Sequence, residues 1–327
     1  MSHRQPLRAS WRQSINLGDQ LDHYRLDAVV SRERTTTVFQ ATDLQTNQQV
    51  SLKVPHAGVE IDAEFFDRFH REEEIGASLS HPGLLKLLHA NEHHSRPYLV
   101  TEWFEGKTLR AVLREEKKLP PKRAISIALA LCDVLSYIHN HGVVHRNLKP
   151  ENILVGVDGR VKLVNFDAAA KEGSTRLTFA SLAQLVGGPY ISPEELAGKR
   201  GDARSDIYSL GVVLYEMLTG ALPFPGTDPF DRFTQEPIPP RRIEPSISPQ
   251  LQEVIYRALE REHKNRYASA HDLAHDLRHL DQVGVRPRLP RRSGKPDGTA
   301  VGKIARYAAL VAVPILIFAL LLYFSRH

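Results

Sequence analysis

Two apolar runs flank Asp158-Gly159 in the stretch NILVGVDGRVKLVNF, residues 152–166, and leave the chain little choice of local structure. An Asp-Gly pair in this setting is a strong β-hairpin signal, because glycine tolerates the positive φ of a type I′ turn. If the pair forms a two-residue loop, Val157 faces Arg160 and Asn152 faces Asn165. The hairpin therefore predicts that the segments before and after it form one site.

The order of periodic patterns along the chain predicts two lobes. Residues 24–95 alternate short β-like runs with one charged helical pattern, whereas helical periodicity dominates residues 109–280. This order predicts an α+β fold with a small antiparallel sheet lobe, which carries one helix, followed by a larger helical lobe.

Several motifs in a fixed order resemble those of the eukaryotic-like, bacterial-type Ser/Thr protein kinases, over residues 24–280. The motifs are VSLKV, REEEIGASLSHPGLLKLL, PYLVTEWFEGKTL, HRNLKPENIL, GGPYISPEEL, SDIYSLGVVLYEMLTG and NRYASAHDL. The resemblance implies a bilobal kinase fold, with an N-lobe at about 24–101 and a C-lobe at about 105–280. ATP is the implied cofactor.

The resemblance also implies roles for individual residues. Lys53 would hold nucleotide phosphates and pair with Glu72, which stands nine residues before His81, the family's spacing. The adenine would bind backbone groups of Glu102 and Phe104. Three further roles are implied by the same motifs: Lys149 in the catalytic loop, Asn152 at the metal, and Asp206 with the Glu194–Arg266 pair as structural supports.

The first departure from the family is Asn147, where the family has the aspartate that accepts or orients the substrate hydroxyl proton. An amide cannot act as that base at neutral pH. General-base assistance is typically worth about 10²–10⁴ in rate, so this loss alone is large.

The second departure is NFD, residues 165–167, in place of Asp-Phe-Gly. Mg²⁺ prefers carboxylate oxygens beside the phosphates, whereas Asn152 and Asn165 supply only neutral carbonyls. Asp167 is a candidate substitute ligand, since residues i and i+2 share a face in an extended segment. A loop-capping role for Asp167 is the alternative.

The third departure is that Ser31, Glu33 and Thr36 stand at the positions of the family's phosphate-covering glycines. Side chains there keep the backbone from the phosphates, and Glu33 adds negative charge. Together the departures predict a pseudokinase that acts as a signalling or interaction module with a partner protein or an active kinase. A weakly active ATP-dependent Ser/Thr protein kinase is the alternative. Magnesium binding is expected to be weak or absent, and ATP binding stays open.

The pseudokinase hypothesis includes a regulatory segment. KEGSTRLTFASL, residues 171–182, offers a partner kinase the hydroxyls of Ser174, Thr175, Thr178 and Ser181. A phosphate there would order the segment through Arg146.

The C-terminal part predicts a membrane anchor. Residues 308–324 carry no charge and, at about 1.5 Å per residue, suit a spanning helix. We assign residues 307–324 to that helix, 281–306 to a basic Pro/Gly/Arg-rich linker, and 1–23 to an N-terminal extension without the apolar run of a secretory signal. Seven basic residues precede the span and one follows it, so the kinase-like domain is expected to face the cytoplasm from the cell membrane.

Charge and composition disfavour three other kinds of protein: one that binds nucleic acid, one held by disulfides and one that binds a metal through histidines. The net charge of +5 lies in the tail: residues 281–327 hold eight of the 43 basic and two of the 38 acidic residues, so we expect no nucleic-acid partner. The single cysteine, Cys132, excludes an internal disulfide and is read as core. His271, His275 and His279 share a helix face, but no Cys or carboxylate constellation accompanies them, so a solvated face is favoured over a metal site.

Overall fold

The computed structural model describes residues 15–57, 63–88, 95–171, 188–224 and 231–285. The predicted membrane helix, the linker from residue 286 onward and the hydroxyl residues of 174–181 lie outside these ranges. Within them, no helix combines the length and apolar character needed to cross a bilayer.

The small lobe is built on a six-stranded antiparallel sheet in the order β1-β2-β3-β4-β6-β5. Its strands are β1 Gln20–Leu21, β2 Tyr24–Arg32, β3 Thr36–Asp43, β4 Gln49–Pro55, β5 Leu87–Leu88 and β6 Leu99–Glu102. Alternation along β4 buries Val50, Leu52 and Val54 and turns Ser51 and Lys53 to the opposite face. Because that face lines the cleft between the lobes, sequence period alone aims Lys53 into it.

Helix α1, Ala63–Ser78, packs against this sheet. Phe65 and Phe69 form a small buried cluster with Leu99 of β6. The cluster fixes which face of α1 looks toward the sheet, and so where its charged residues point.

The large lobe is helical around one apolar core. Its helices are α2 Leu109–Glu116, α3 Pro121–Asn140, α4 Pro193–Leu196, α5 Ala203–Thr219, α6 Asp231–Thr234, α7 Pro240–Ile243, α8 Pro249–Ala258 and α9 Ala270–Arg278. Residues 205–219 of α5 are all buried, so α5 is the central helix, and Cys132 of α3 is buried in the same core. Short strands complete the lobe: β7 Gly106–Thr108, β8 Val143–Val144, β9 Ile153–Gly156, β10 Val161–Leu163 and β11 Ala170–Lys171.

The predicted hairpin forms, but its predicted register is wrong by one residue. β9 pairs with β10 through Val155↔Val161 and Ile153↔Leu163, so the loop has three residues, 157–159, rather than two. Gly159 donates its N–H to the carbonyl of Gly156 at 3.0 Å and has a φ of 83°. This is a type I turn followed by a left-handed glycine, which adds one residue to the loop.

The one-residue shift in strand register changes the residue that pairs with Asn152. Asn152 accepts a backbone hydrogen bond from Val164 at 3.0 Å, so it does not face Asn165 in the ladder as predicted. The two segments still meet, because Asn165 follows directly and turns back toward Asn152.

Candidate functional site

The cleft between the lobes holds an ion pair between β4 and α1. Lys53 Nζ donates to Glu72 Oε2 at 2.7 Å and to Asn165 Oδ1 at 3.0 Å. Burial alone would lower the pKa of Lys53, but the carboxylates of Glu72 and Asp167 outweigh it and hold that pKa above its ordinary value. Lys53 therefore stays charged and links the small lobe to the large one.

From Asn165 a chain of amide hydrogen bonds runs through the large lobe. Asn165 Nδ2 donates to Asn152 Oδ1 at 3.3 Å, and Asn152 Nδ2 donates to the carbonyl of Asn147 at 2.7 Å. Asn147 Nδ2 in turn donates to Asp167 Oδ1 at 3.3 Å. The side-chain carbonyls of Asn152 and Asn165 thus already accept N–H donors.

Backbone geometry places Asn165 and Asp167. Asn165 has a φ of 70°, in the left-handed region, so the segment is not extended and the i, i+2 argument for Asp167 fails. Asparagine tolerates this conformation better than most residues, since its short side chain can bond locally. The substitution therefore preserves the turn that aims the side chain at Lys53.

Asp206 supports the loop that carries Asn147. It accepts the backbone N–H groups of His145 and Arg146, both at 2.8 Å, and lies 2.8 Å from His139 Nε2. Burial alone would raise the pKa of Asp206, but these hydrogen bonds and the neighbouring histidines hold it below its ordinary value. The buried carboxylate fixes Arg146 at a φ of 60° and so positions the next residue, Asn147.

Two further residues of this loop complete the site's frame. Burial lowers the pKa of His145, whose ring meets Phe166 edge to face at a centroid distance of 5.0 Å. Lys149 is half-buried and precedes the short 3-10 helix Pro150–Asn152.

The cleft itself has a volume of about 410 Å³, the size of a small-molecule site. Glu102 and Phe104 line it where β6 ends and the chain crosses to the large lobe. Glu102 Oε1 accepts a hydrogen bond from Lys162 Nζ at 2.6 Å, and Lys162 is only 7% exposed. Sequence reasoning missed Lys162, although a lysine inside the apolar run VKLV was a signal, since lysine is rarely buried unpaired.

The family assignment follows from comparison with known proteins. The family described as "Protein kinase domain" matches residues 29–277 of the chain. The chain belongs to the protein kinase family.

Curated relatives agree with this kinase assignment. The chain is 35% identical over 258 residues to the serine/threonine-protein kinase PknB of Mycolicibacterium smegmatis, covering 76% of the chain and 41% of PknB. It is 35% identical over 256 residues to the probable serine/threonine-protein kinase SCO3848 of Streptomyces coelicolor, covering 76% of the chain and 38% of that protein. The chain thus spans about two fifths of these relatives' length.

Solved structures give the same bilobal kinase fold. The crystal structure of the Mycobacterium tuberculosis PknI kinase domain matches with a TM-score of 0.64 at 22% identity, covering 82% of this chain and all of that one. At this low sequence identity, the similarity establishes the fold and says nothing about activity.

In this kinase fold the hairpin between β2 and β3 borders the cleft, and a backbone hydrogen bond closes its turn. Glu33 donates its backbone N–H to the carbonyl of Thr36 at 2.9 Å, and the β3–β4 ladder continues to the Thr36↔Pro55 pair. Ser31 and Glu33 line the cleft, whereas Thr36 is buried. A carboxylate thus stands where the family's backbone approaches phosphate.

The predicted magnesium ligands comprise one carboxylate, Asp167, and two amide carbonyls, those of Asn152 and Asn165. Of the predicted oxygen ligands, Asn165 Oδ1 accepts from the ammonium of Lys53 and Asn152 Oδ1 from Asn165, while Asp167 Oδ1 accepts from Asn147. Asp167 is the one carboxylate among these predicted ligands, and a hard dication prefers carboxylate oxygens to amide carbonyls. Within the described residues, no three or more His, Cys, Asp or Glu side chains are grouped as a metal site.

Proposed function

We propose that the chain is a pseudokinase, a kinase-fold module that signals by binding rather than by phosphoryl transfer. The observation that carries this is the hydrogen-bonded chain from Lys53 through Asn165 and Asn152 to Asn147. It fills the base and metal positions with neutral amides that satisfy one another. Magnesium binding is accordingly weak or absent, and ATP binding does not lead to turnover.

A weakly active Ser/Thr kinase is the second candidate, and the Lys53–Glu72 pair at 2.7 Å favours it. Positioning and electrostatics supply most of the catalysis of phosphoryl transfer, so an intact lysine-glutamate pair would sustain a slow reaction if phosphates were bound. Two features argue against phosphate binding: the hydrogen-bonded amides at the base and metal positions, and the carboxylate of Glu33 in the cleft.

A membrane tether and a protein partner complete the proposal. The apolar residues 307–324 would anchor the chain in the cell membrane, with the kinase domain in the cytoplasm. An active partner kinase would phosphorylate the hydroxyls of 174–181. Support comes from Arg146: its Nε is buried without a hydrogen-bond partner among the described residues, and a phosphate on the segment would satisfy this donor.

The deciding experiment is a phosphoryl-transfer assay on the full-length chain with γ-labelled ATP and Mg²⁺ or Mn²⁺, with autophosphorylation and a general protein substrate as readouts. The Lys53→Met variant, prepared identically, is the control for contaminating kinases. No Lys53-dependent label is the expected result, and label that Lys53→Met abolishes would establish the weak-kinase candidate instead.

The partner proposal is tested separately. Co-expression with an active kinase and phosphopeptide mapping should find phosphate within residues 174–181. An unmodified segment would remove this part of the proposal.

A further inference from the structure

Two of the three histidines that recur in and directly after α9 form a close ring pair. The imidazole centroids of His275 and His279 lie 4.5 Å apart, and the ring planes are inclined by 34°. The side chain of His275 is 54% exposed, and His279 is half-buried at the end of the helix. Neither residue lines the cleft between the lobes, so the proposed function does not account for the pair.

The hydrogen bond of His279 determines which of its ring nitrogens carries the proton. Its Nδ1 lies 2.9 Å from the backbone carbonyl oxygen of His275, and a carbonyl oxygen can only accept. Nδ1 therefore holds the hydrogen, and in the neutral ring Nε2 keeps an unprotonated lone pair. Such a lone pair is the group with which a histidine side chain binds a metal ion.

A carboxylate holds the ring of His275 in the same way. His275 Nδ1 lies 3.4 Å from Asp276 Oδ1, which can only accept. Asp276 is itself fixed, because its Oδ2 accepts from the hydroxyl of the buried Tyr267 at 2.9 Å and from Arg257 Nη1 at 3.3 Å. Nδ1 of His275 thus carries the hydrogen, and its Nε2 is the unprotonated nitrogen as well.

These acceptors are the ones that metal-binding histidines use. A ligating imidazole nearly always donates its second ring N–H to a carboxylate or a backbone carbonyl, which fixes the ring and makes the ligating nitrogen more basic. His275 and His279 have one acceptor of each kind. Two nitrogens on one tetrahedral ion lie about 3.3 Å apart, since each bond is about 2.0–2.1 Å long, and rings with centroids 4.5 Å apart can reach that separation.

The nitrogen ligands select the class of ion. Imidazole binds zinc, copper, nickel and iron, whereas Mg²⁺ prefers oxygen ligands. Because no three or more His, Cys, Asp or Glu side chains group as a metal site in the described part of the chain, the protein supplies two ligands here. Water would fill the remaining positions of a tetrahedral ion, so the ion would exchange more readily than one in a closed structural site with four protein ligands.

We propose that His275 and His279 bind one divalent transition-metal ion of the zinc class through their Nε2 atoms, at the C-terminal end of α9. The sequence pattern alone favoured a solvated face, and the ring pair with its two acceptors is what the structure adds. The proposal goes beyond the pseudokinase proposal and does not depend on it, because the site lies outside the cleft. A bound ion would also fasten the last turn of α9.

Isothermal titration calorimetry of the full-length chain in detergent, with ZnCl₂ as the probe and Mg²⁺ present throughout, tests the proposal. The wild type should bind Zn²⁺ saturably. His275→Gln and His279→Gln should each weaken this binding at least about tenfold, since losing even the hydrogen-bonding partner of a ligand costs that much. The double variant should lose the site, whereas Zn²⁺ bound elsewhere on the chain would persist in it.

His271→Gln is the matched control, because it removes the third, exposed histidine of the same helix face. His271 stands two turns, about 12 Å along the axis, before His279 and cannot join it in an i, i+4 pair, so this variant should keep the wild-type affinity. Three results would overturn the proposal: no saturable Zn²⁺ binding by the wild type, an unchanged affinity in the double variant, or a loss in His271→Gln as large as that in His275→Gln.

Discussion

At the scale of single residues, asparagine replaces aspartate with little change in shape and complete loss of charge. Asn165 keeps the left-handed turn with a φ of 70° and bonds Lys53 through its carbonyl. Asn147 becomes a donor, to Asp167, where a carboxylate would only accept. The two changes thus preserve local structure while they remove the charge that metal binding and proton transfer need.

Restoring both carboxylates should therefore restore chemistry. The Asn147→Asp, Asn165→Asp double variant is expected to bind ATP in a Mg²⁺-dependent way and to raise phosphoryl transfer by about 10²-fold or more. Thermal shift with ATP, with and without Mg²⁺, and a labelled-ATP assay measure this. Asn147→Asp alone is the control and should gain no magnesium dependence; a double variant equally indifferent to Mg²⁺ would contradict the prediction.

Glu195 makes stability depend on pH. Glu195 is 4% exposed, and burial raises its pKa to about 7. The 2.7 Å hydrogen bond that Ser192 donates to its carboxylate acts to lower this pKa, whereas the negative charge of Asp206 acts to raise it. Between about pH 4.5 and 7 the folded state holds a proton that the unfolded state has lost, so stability falls as pH rises through this window.

The Glu195→Gln variant should flatten that dependence. Its uncharged side chain keeps the acceptor for Ser192, so unfolding free energy at pH 8 should exceed that of the wild type by as much as about 3 kcal/mol. Urea unfolding at pH 5 and pH 8 measures the difference. Glu262→Gln, at an exposed position, is the control, and an unchanged pH slope in Glu195→Gln would refute the assignment.

At the scale of elements, the β9–β10 loop sets which backbone groups pair. Its third residue, Gly159, has a φ of 83°, and a Cβ there would meet nothing within 4 Å. Asp158 Oδ1 also accepts the N–H of Arg160 at 3.0 Å, which favours the longer loop. The register therefore depends on the left-handed backbone of Gly159 and on this Asp158 hydrogen bond, and not on side-chain packing at the glycine.

Gly159→Ala should cost about 1–2 kcal/mol of unfolding free energy, because an L residue is strained in the left-handed region. Chemical denaturation at equilibrium measures it. Val157→Ala, in the same loop at 91% exposure, should change stability by less than about 0.5 kcal/mol. Equal effects of the two substitutions would show that the left-handed glycine does not set the loop.

At the scale of the whole molecule, the Lys53 side chain is one of the contacts that join the lobes across the cleft. Lys53 of β4 contacts Glu72 in the small lobe and Asn165 in the large one. Because an ammonium on the protein itself makes this link, the lobes are connected through the site without a bound metal.

The proposed anchor predicts membrane association of the full-length chain. We expect it to sediment with membranes and to resist a wash at about 1 M salt, which screens surface charge but not insertion. Deletion of residues 307–327 should release it, whereas replacing the basic residues of 281–306 with serine should not. Release of the intact chain by salt alone would indicate surface attraction instead of a span.

Local sequence patterns determined much of this protein kinase domain. Period-2 alternation aimed Lys53 into the cleft, and Asp158-Gly159 required a hairpin. Both signals act over a few residues, so they are readable from the chain alone, whereas Glu72 was selected by the resemblance to the kinase family through its spacing to His81. The placement of Asn147, Asn152 and Asn165 in one site also followed from local pairing.

The tertiary structure alone decided the register and the contacts across the cleft. Sequence could not distinguish a two-residue loop from a three-residue loop, since both use Asp-Gly and differ only in backbone conformation. It could not give the bond from Lys53 to Asn165, 112 residues apart. Such contacts depend on how whole elements pack against one another, and no local pattern encodes that packing.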